Sequence, residues 1–185
     1  MKELKDYSGP FKPDLKYTDF SKEALIHLWK SASKLYQGMA GIWSTLAREK
    51  LGDQEAFRWE PEAWKKLIPL EIKWVNREMN IKGDDVEALF KWMQCYAAYG
   101  ATMDFDLELK NKKHGIFTIK KCPALEFFER HDDTEGQKNA CGMDVWGFQL
   151  QATCINPKIK CNVLKMPPRQ SKQEIACQME YILED

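Results

Sequence analysis

The stretch MDFDLELKNKKHGIFTIKK, residues 103–121, is where the chain changes period. Met103, Phe105, Leu107 and Leu109 alternate with Asp104, Asp106, Glu108 and Lys110, the two-residue repeat of a strand with one buried face. Asn111 to Gly115 carries turn residues and Ile116 to Ile119 is a second short apolar run, so the pair predicts an antiparallel hairpin. Cys122-Pro123 ends it, because proline offers no N–H to a ladder but suits the first turn of a helix. A short helix is therefore expected over Pro123–Arg130 and, after the polar HDDTEG segment, another from about Gln137 to Cys154. Asn156-Pro157 breaks the chain again, and Ile159, Cys161 and Val163 alternate as a third strand. Ile175, Cys177, Met179, Tyr181 and Leu183 share the inner face of a fourth. The order β-β-α-α-β-β predicts an α+β fold, with helices on one face of a four-stranded antiparallel sheet whose strands lie near 103–109, 115–121, 158–165 and 174–183.

Upstream the period is helical. Ser21 has the position of an N-cap, and from Leu25 apolar residues recur in steps of three and four through Leu28, Trp29, Ala32, Leu35, Tyr36, Met39, Ile42, Trp43 and Leu46. Gly52 ends this helix. Pro61 is the expected start of a second one, carrying Trp64, Leu67, Ile68, Ile72, Trp74 and Val75, with a kink or break at Pro69 and an end at Gly83. Asp84 is expected to cap a third, which reaches about Gly100. Aromatic and methionine side chains at helical spacing normally pack, so these stripes are expected to be core. The chain thus divides into an irregular arm (1–20), a helical layer (21–101) and an α+β core (102–185), all one compact domain.

A chain of 185 residues with 44% apolar residues can bury a core without disulfides or metal. Lys+Arg and Asp+Glu are equal at 28, which favours neither nucleic acid nor an anionic membrane as partner. No apolar run has the length of a membrane span, and MKELKDYSGPFKPD lacks the apolar centre of a signal peptide, so a cytoplasmic location is expected. The six cysteines would then be reduced thiols rather than disulfides, and no CxxC pair is present.

Three of those cysteines stand apart. Cys122 lies at a strand-to-helix junction, where backbone N–H groups favour a thiolate. Cys141 and Asp144, at i and i+3, share a helix face, and Cys177 points inward from the last strand. Cys122, Cys141, Cys177 and Asp144 could form a tetrahedral zinc site, or the three thiolates could hold a [4Fe–4S] iron–sulfur cluster, although their wide spacing lacks ferredoxin-type clustering. The alternative is buried, inert thiols, the reading that also suits Cys95, Cys154 and Cys161. With three histidines in separate contexts, no Ser–His–Asp or Cys–His triad can be assembled.

Cys122-Pro123 before a short helix, Cys141-x-x-Asp144 in the next, and Cys177 on the last strand resemble the L-2-amino-thiazoline-4-carboxylic acid hydrolase family. The helical N-terminal half is similar too, so the resemblance runs from about residue 20 onward. Gln178 stands where that family often has an aspartate. The resemblance implies a small-molecule hydrolase that adds water to a cyclic amidine carbon and opens the ring. Cys122, Cys141 and Cys177 would be metal ligands or supply a nucleophile, and Asp144 a fourth ligand or general base, with Cys141 and Asp144 the catalytic pair. Zinc would suit such chemistry by activating water. More distantly, the layout resembles 4-vinyl reductase-type ligand-binding domains. That likeness implies a non-catalytic sensor or carrier with a structural zinc and an aromatic pocket drawn from Trp29, Trp43, Trp92 and Trp146. Either way the expected partner is a small molecule, entering beside the polar loop from His131 to Gly136, and a homo-oligomer would form through the N-terminal helices.

Overall fold

A computed structural model describes residues 3–100 and 102–185. Met1 and Lys2, in the expected arm, and Ala101, at the expected end of the helical layer, lie outside the described residues. Helix α1 spans Lys22–Leu51; Ser21 caps it by accepting the Ala24 N–H at 3.2 Å. Gly52 ends it at φ 79, a conformation that costs glycine least, and α2, Asp53–Glu78, begins at the next residue.

Helix α2 therefore starts well before Pro61, and it runs through both Pro61 and Pro69. The expected start at Pro61 and break at Pro69 do not occur. Each proline withholds one N–H, from the carbonyls of Phe57 and Lys65, and the turn around Pro69 is held by buried Ile68, Glu71 and Ile72. The helix stops at Met79 rather than Gly83, and Asp85 rather than Asp84 caps α3, Val86–Cys95, by accepting the Ala88 N–H at 2.9 Å. Tyr96 leaves the helical conformation, and a single turn, α4, follows at Ala97–Gly100.

The remainder follows the expected order. Strands β1 (Asp104–Asn111), β2 (His114–Lys121), β3 (Ile159–Lys165) and β4 (Cys177–Leu183) form one antiparallel sheet in the order β1-β2-β4-β3. Helices α5 (Pro123–Arg130) and α6 (Thr134–Ile155) lie between β2 and β3 in sequence. Phe117, Ile119, Cys177, Met179 and Tyr181 turn inward from the central strands and meet Leu89, Trp92 and Met93 of α3 and Phe148 of α6 in one core. Gly115 lets α3 approach β2: a Cβ there would lie 2.5 Å from the Phe90 ring. Among the described residues no helix is long and apolar enough to cross a membrane.

One expectation is reversed. The apolar stripe of α1 is not core: Leu25, Leu28, Trp29, Leu35, Met39, Ile42, Trp43 and Leu46 are all exposed, and only Ala24 and Ser33 of this helix are buried. The face turned toward the domain is small and polar, with Ser33, Gln37, Ala40 and Ser44. It docks on backbone, since Ser33 Oγ donates to the Ala97 carbonyl and Gln37 Nε2 to that of Ala98 at 2.5 Å. Polar side chains satisfy carbonyls at the end of the helical layer that leucines would leave bare.

Candidate active site

Helix α6 presents Ala140, Asp144, Gly147, Phe148 and Gln151 along one side, residues spaced by three and four. That side forms one wall of a cavity of about 980 Å³; α1, α2 with Glu60 and Trp64, and α5 form the others. Tyr96 and Tyr99 close its floor, with ring centroids 4.8 Å apart. The Tyr99 hydroxyl donates to Gln151 Oε1 at 2.8 Å, and that of Tyr96 to Glu71 at 3.0 Å. Glu71 also accepts from Tyr36, and burial holds its carboxyl above the usual range.

Asp144 is the centre of this arrangement. Protein surrounds it, yet its side chain is exposed into the cavity, where a ligand can reach it. Separation from bulk solvent, and secondarily the negative charge of Glu60, push its carboxyl up to about 7. Glu60 is itself raised by burial, although Ser44 Oγ donates to it at 3.2 Å. Two carboxyl groups that resist ionisation thus share one cavity.

The three thiols stand around Asp144. Cys122 is buried at the N-cap of α5, and the N–H groups of Leu125 and Ala124 do favour its thiolate; burial and the Asp144 charge outweigh them and raise it to about 11. Cys141 is pushed up to about 12 by burial and then by Asp144, and Cys177 is raised by the same causes in the same order. The helix-terminus N–H groups therefore act on Cys122 in the expected direction but are too weak to make it reactive. Cys122, Cys141, Cys177 and Asp144 share one neighbourhood, and Cys161 also acts on Cys177 from β3, so it is less remote than expected. Among the described residues no group of three or more His, Cys, Asp or Glu side chains is arranged to hold one metal ion. The four side chains expected to bind zinc or an iron–sulfur cluster are neighbours, but as placed they do not aim three donors at one point.

Two other expectations shift. The segment from His131 to Gly136 contributes no residue to the cavity lining, and Arg48 of α1 pairs with its Asp133 at 2.7 Å and with Asp53 at 3.0 Å. Exposed residues of the lining include Lys34, Gly38, Gly41, Ile42, Thr45 and Leu46 of α1 and Ala124, Phe127 and Arg130 of α5. Of the four tryptophans expected in a pocket only Trp146 lines the cavity; Trp92 is core, and Trp29 and Trp43 are on the outside. Glu60 and Trp64 line it unforeseen. With α2 begun at Asp53, Glu60, Trp64 and Ile68 fall four apart on one helix face, a signal hidden by placing the helix start at Pro61.

No curated protein and no solved structure matches this chain. Residues 18–183, which include every helix and strand described above, match the family of unknown function DUF6125, and the chain belongs to that family.

Proposed function

We propose that the cavity is the active site of a hydrolase for small cyclic amidines or amides, with Asp144 as its general base. The observation that carries this reading is a carboxyl facing the cavity beside Glu60, pushed by its surroundings up to about 7, the range in which one group can both take and return a proton at neutral pH. The Asp144 carboxylate takes a proton from water, the water oxygen bonds to the amidine or amide carbon, and the ring bond to the leaving heteroatom breaks as Asp144 returns the proton. Glu60, also raised, supplies a second carboxyl for the substrate's nitrogens. The thiols stay neutral at this pH, which leaves Cys141 a neighbour of Asp144 rather than a nucleophile.

The test is ring opening of 2-aminothiazoline-4-carboxylate and related cyclic amidines. Asp144→Asn is expected to lose at least about 100-fold in turnover, the lower end of a general base's contribution, while Cys141→Ser keeps most of it. Wild-type protein that binds these compounds without opening them would overturn the hydrolase.

A second reading, a sensor or carrier with a structural zinc, is favoured by the common neighbourhood of Cys122, Cys141, Cys177 and Asp144. Metal binding would ionise the thiols and draw the four together. One zinc per chain, lost equally in Cys141→Ser and Asp144→Asn together with thermal stability, selects it.

A further inference from the structure

We infer that α1 is a dimerisation helix, and that its exposed stripe pairs with α1 of a second copy of this chain. A lone amphipathic helix on a domain surface turns its apolar side inward; α1 does the opposite. Its domain-facing residues, Ser33, Gln37, Ala40 and Ser44, and its apolar ones lie about 130° apart around the helix at 3.6 residues per turn. Leu35 is 73% exposed and Trp43 67%, and neither lines the cavity that holds Asp144.

The spacing identifies the occupant. From Leu25 the steps of three and four run without a slip through Leu28, Ala32, Leu35, Met39, Ile42 and Leu46. This is a 3.5-residue repeat over three heptads, the pattern of a seam that meets another helix knob into hole. A membrane or a globular partner would ask only for an apolar side. No charged residue interrupts the seam, so it is self-complementary, as a two-fold interface requires. Eight exposed large side chains at roughly 100 Å² each give about 800 Å² per protomer, the size of a standard specific interface. That exceeds the apolar patch a monomer ordinarily leaves open.

The seam is also continuous with the cavity, because Ile42 and Leu46 belong to both. The second copy would thus seat itself at the rim of the site.

Sedimentation velocity on the full chain tests this directly. Wild-type protein is expected to run as a dimer, and Leu35→Glu with Met39→Glu as a monomer with an unchanged far-ultraviolet circular dichroism spectrum. Both positions are exposed, and a second variant guards against misfolding. Leu35 sits at the midpoint of the seam, so it meets its own copy whether the helices run parallel or antiparallel. Under mild oxidant, Leu35→Cys should give at least about a tenfold greater yield of covalent dimer than wild type with its native thiols. Wild-type protein that is monomeric at about 100 µM overturns the inference, whether or not it then binds vesicles of anionic phospholipid. A dimer that survives the double substitution, with no added cross-linking at Leu35→Cys, overturns it as well.

Discussion

Helices α1 and α3 use the same kinds of residue to opposite ends. Six of the ten residues of α3 are buried, Trp92 and Met93 completely, whereas the thirty residues of α1 contribute Ala24 and Ser33. Both carry strong apolar periodicity. The difference lies in what they face: α3 lies on the inner side of the sheet, where apolar side chains complete a core, and α1 faces the carbonyls of Ala97 and Ala98. Periodicity therefore reports that a helix has an apolar side, and the surface it docks on decides whether that side turns inward.

The sharpest way to break this contrast is to truncate one tryptophan in each helix. Trp92→Ala is expected to cost about 3–5 kcal/mol in urea unfolding, the usual price of a large cavity in a packed core. Trp43→Ala should leave protomer unfolding within about 0.5 kcal/mol, as surface substitutions do, and show its effect in self-association instead. Equal losses at the two positions would erase the distinction.

A smaller effect, with a definite sign, comes from Asp144. Folded, it keeps its proton to about pH 7; unfolded, only to the ordinary value near 3.8. Its contribution to stability is complete below about 3.8 and is lost as pH rises to about 7, above which the fold encloses a charge. Asp144→Asn should accordingly melt higher than wild type at pH 8, with the gap closing below pH 4. Water in the cavity screens the charge, so the expected gain is on the order of 1 kcal/mol, about 2–4 °C for a chain of this size. A variant that melts lower than wild type at pH 8 would mean that the carboxylate is paired, as in a metal site.

The smallest expected change sharpens the account of α1 itself. A Cβ on Gly41 would meet nothing within 4 Å, so Gly41→Ala should stabilise the helix by about 0.5–1 kcal/mol. If the space beside it belongs to substrate, KM should rise at the same time. Stabilisation with unchanged KM would move substrate away from that wall.

The sheet was legible because a strand's two-residue period is short and its ends were marked chemically. Alternation within each strand and the prolines at 123 and 157 placed three strands to within two residues and the bounds of α5 as expected, while β4 begins at Cys177, three residues later than expected. Proline misled at 61 and 69, where it resembles a helix start and a helix break, because packing of Ile68, Glu71 and Ile72 is a long-range fact that local propensity does not contain. Cys122 was found by its place at a strand-to-helix junction, Cys141 and Asp144 by their spacing of three on one helix, and Cys177 by its inward place on the last strand; the topology brings all four to one neighbourhood. Glu60, Tyr96 and Tyr99 were not, since a carboxylate on a helix face and tyrosines in a stripe look the same whether they face solvent, core or cavity.

Ile42 and Leu46 are shared between the seam of α1 and the rim of the cavity, and mass action gives that overlap a meaning. If a second copy pairs along α1, it borders the cavity only in the paired fraction of molecules, so the surroundings of the site would follow the abundance of the protein itself. Each chain would then act as ligand for the other, and diluting the protein would strip the site of that border before it unfolded the fold.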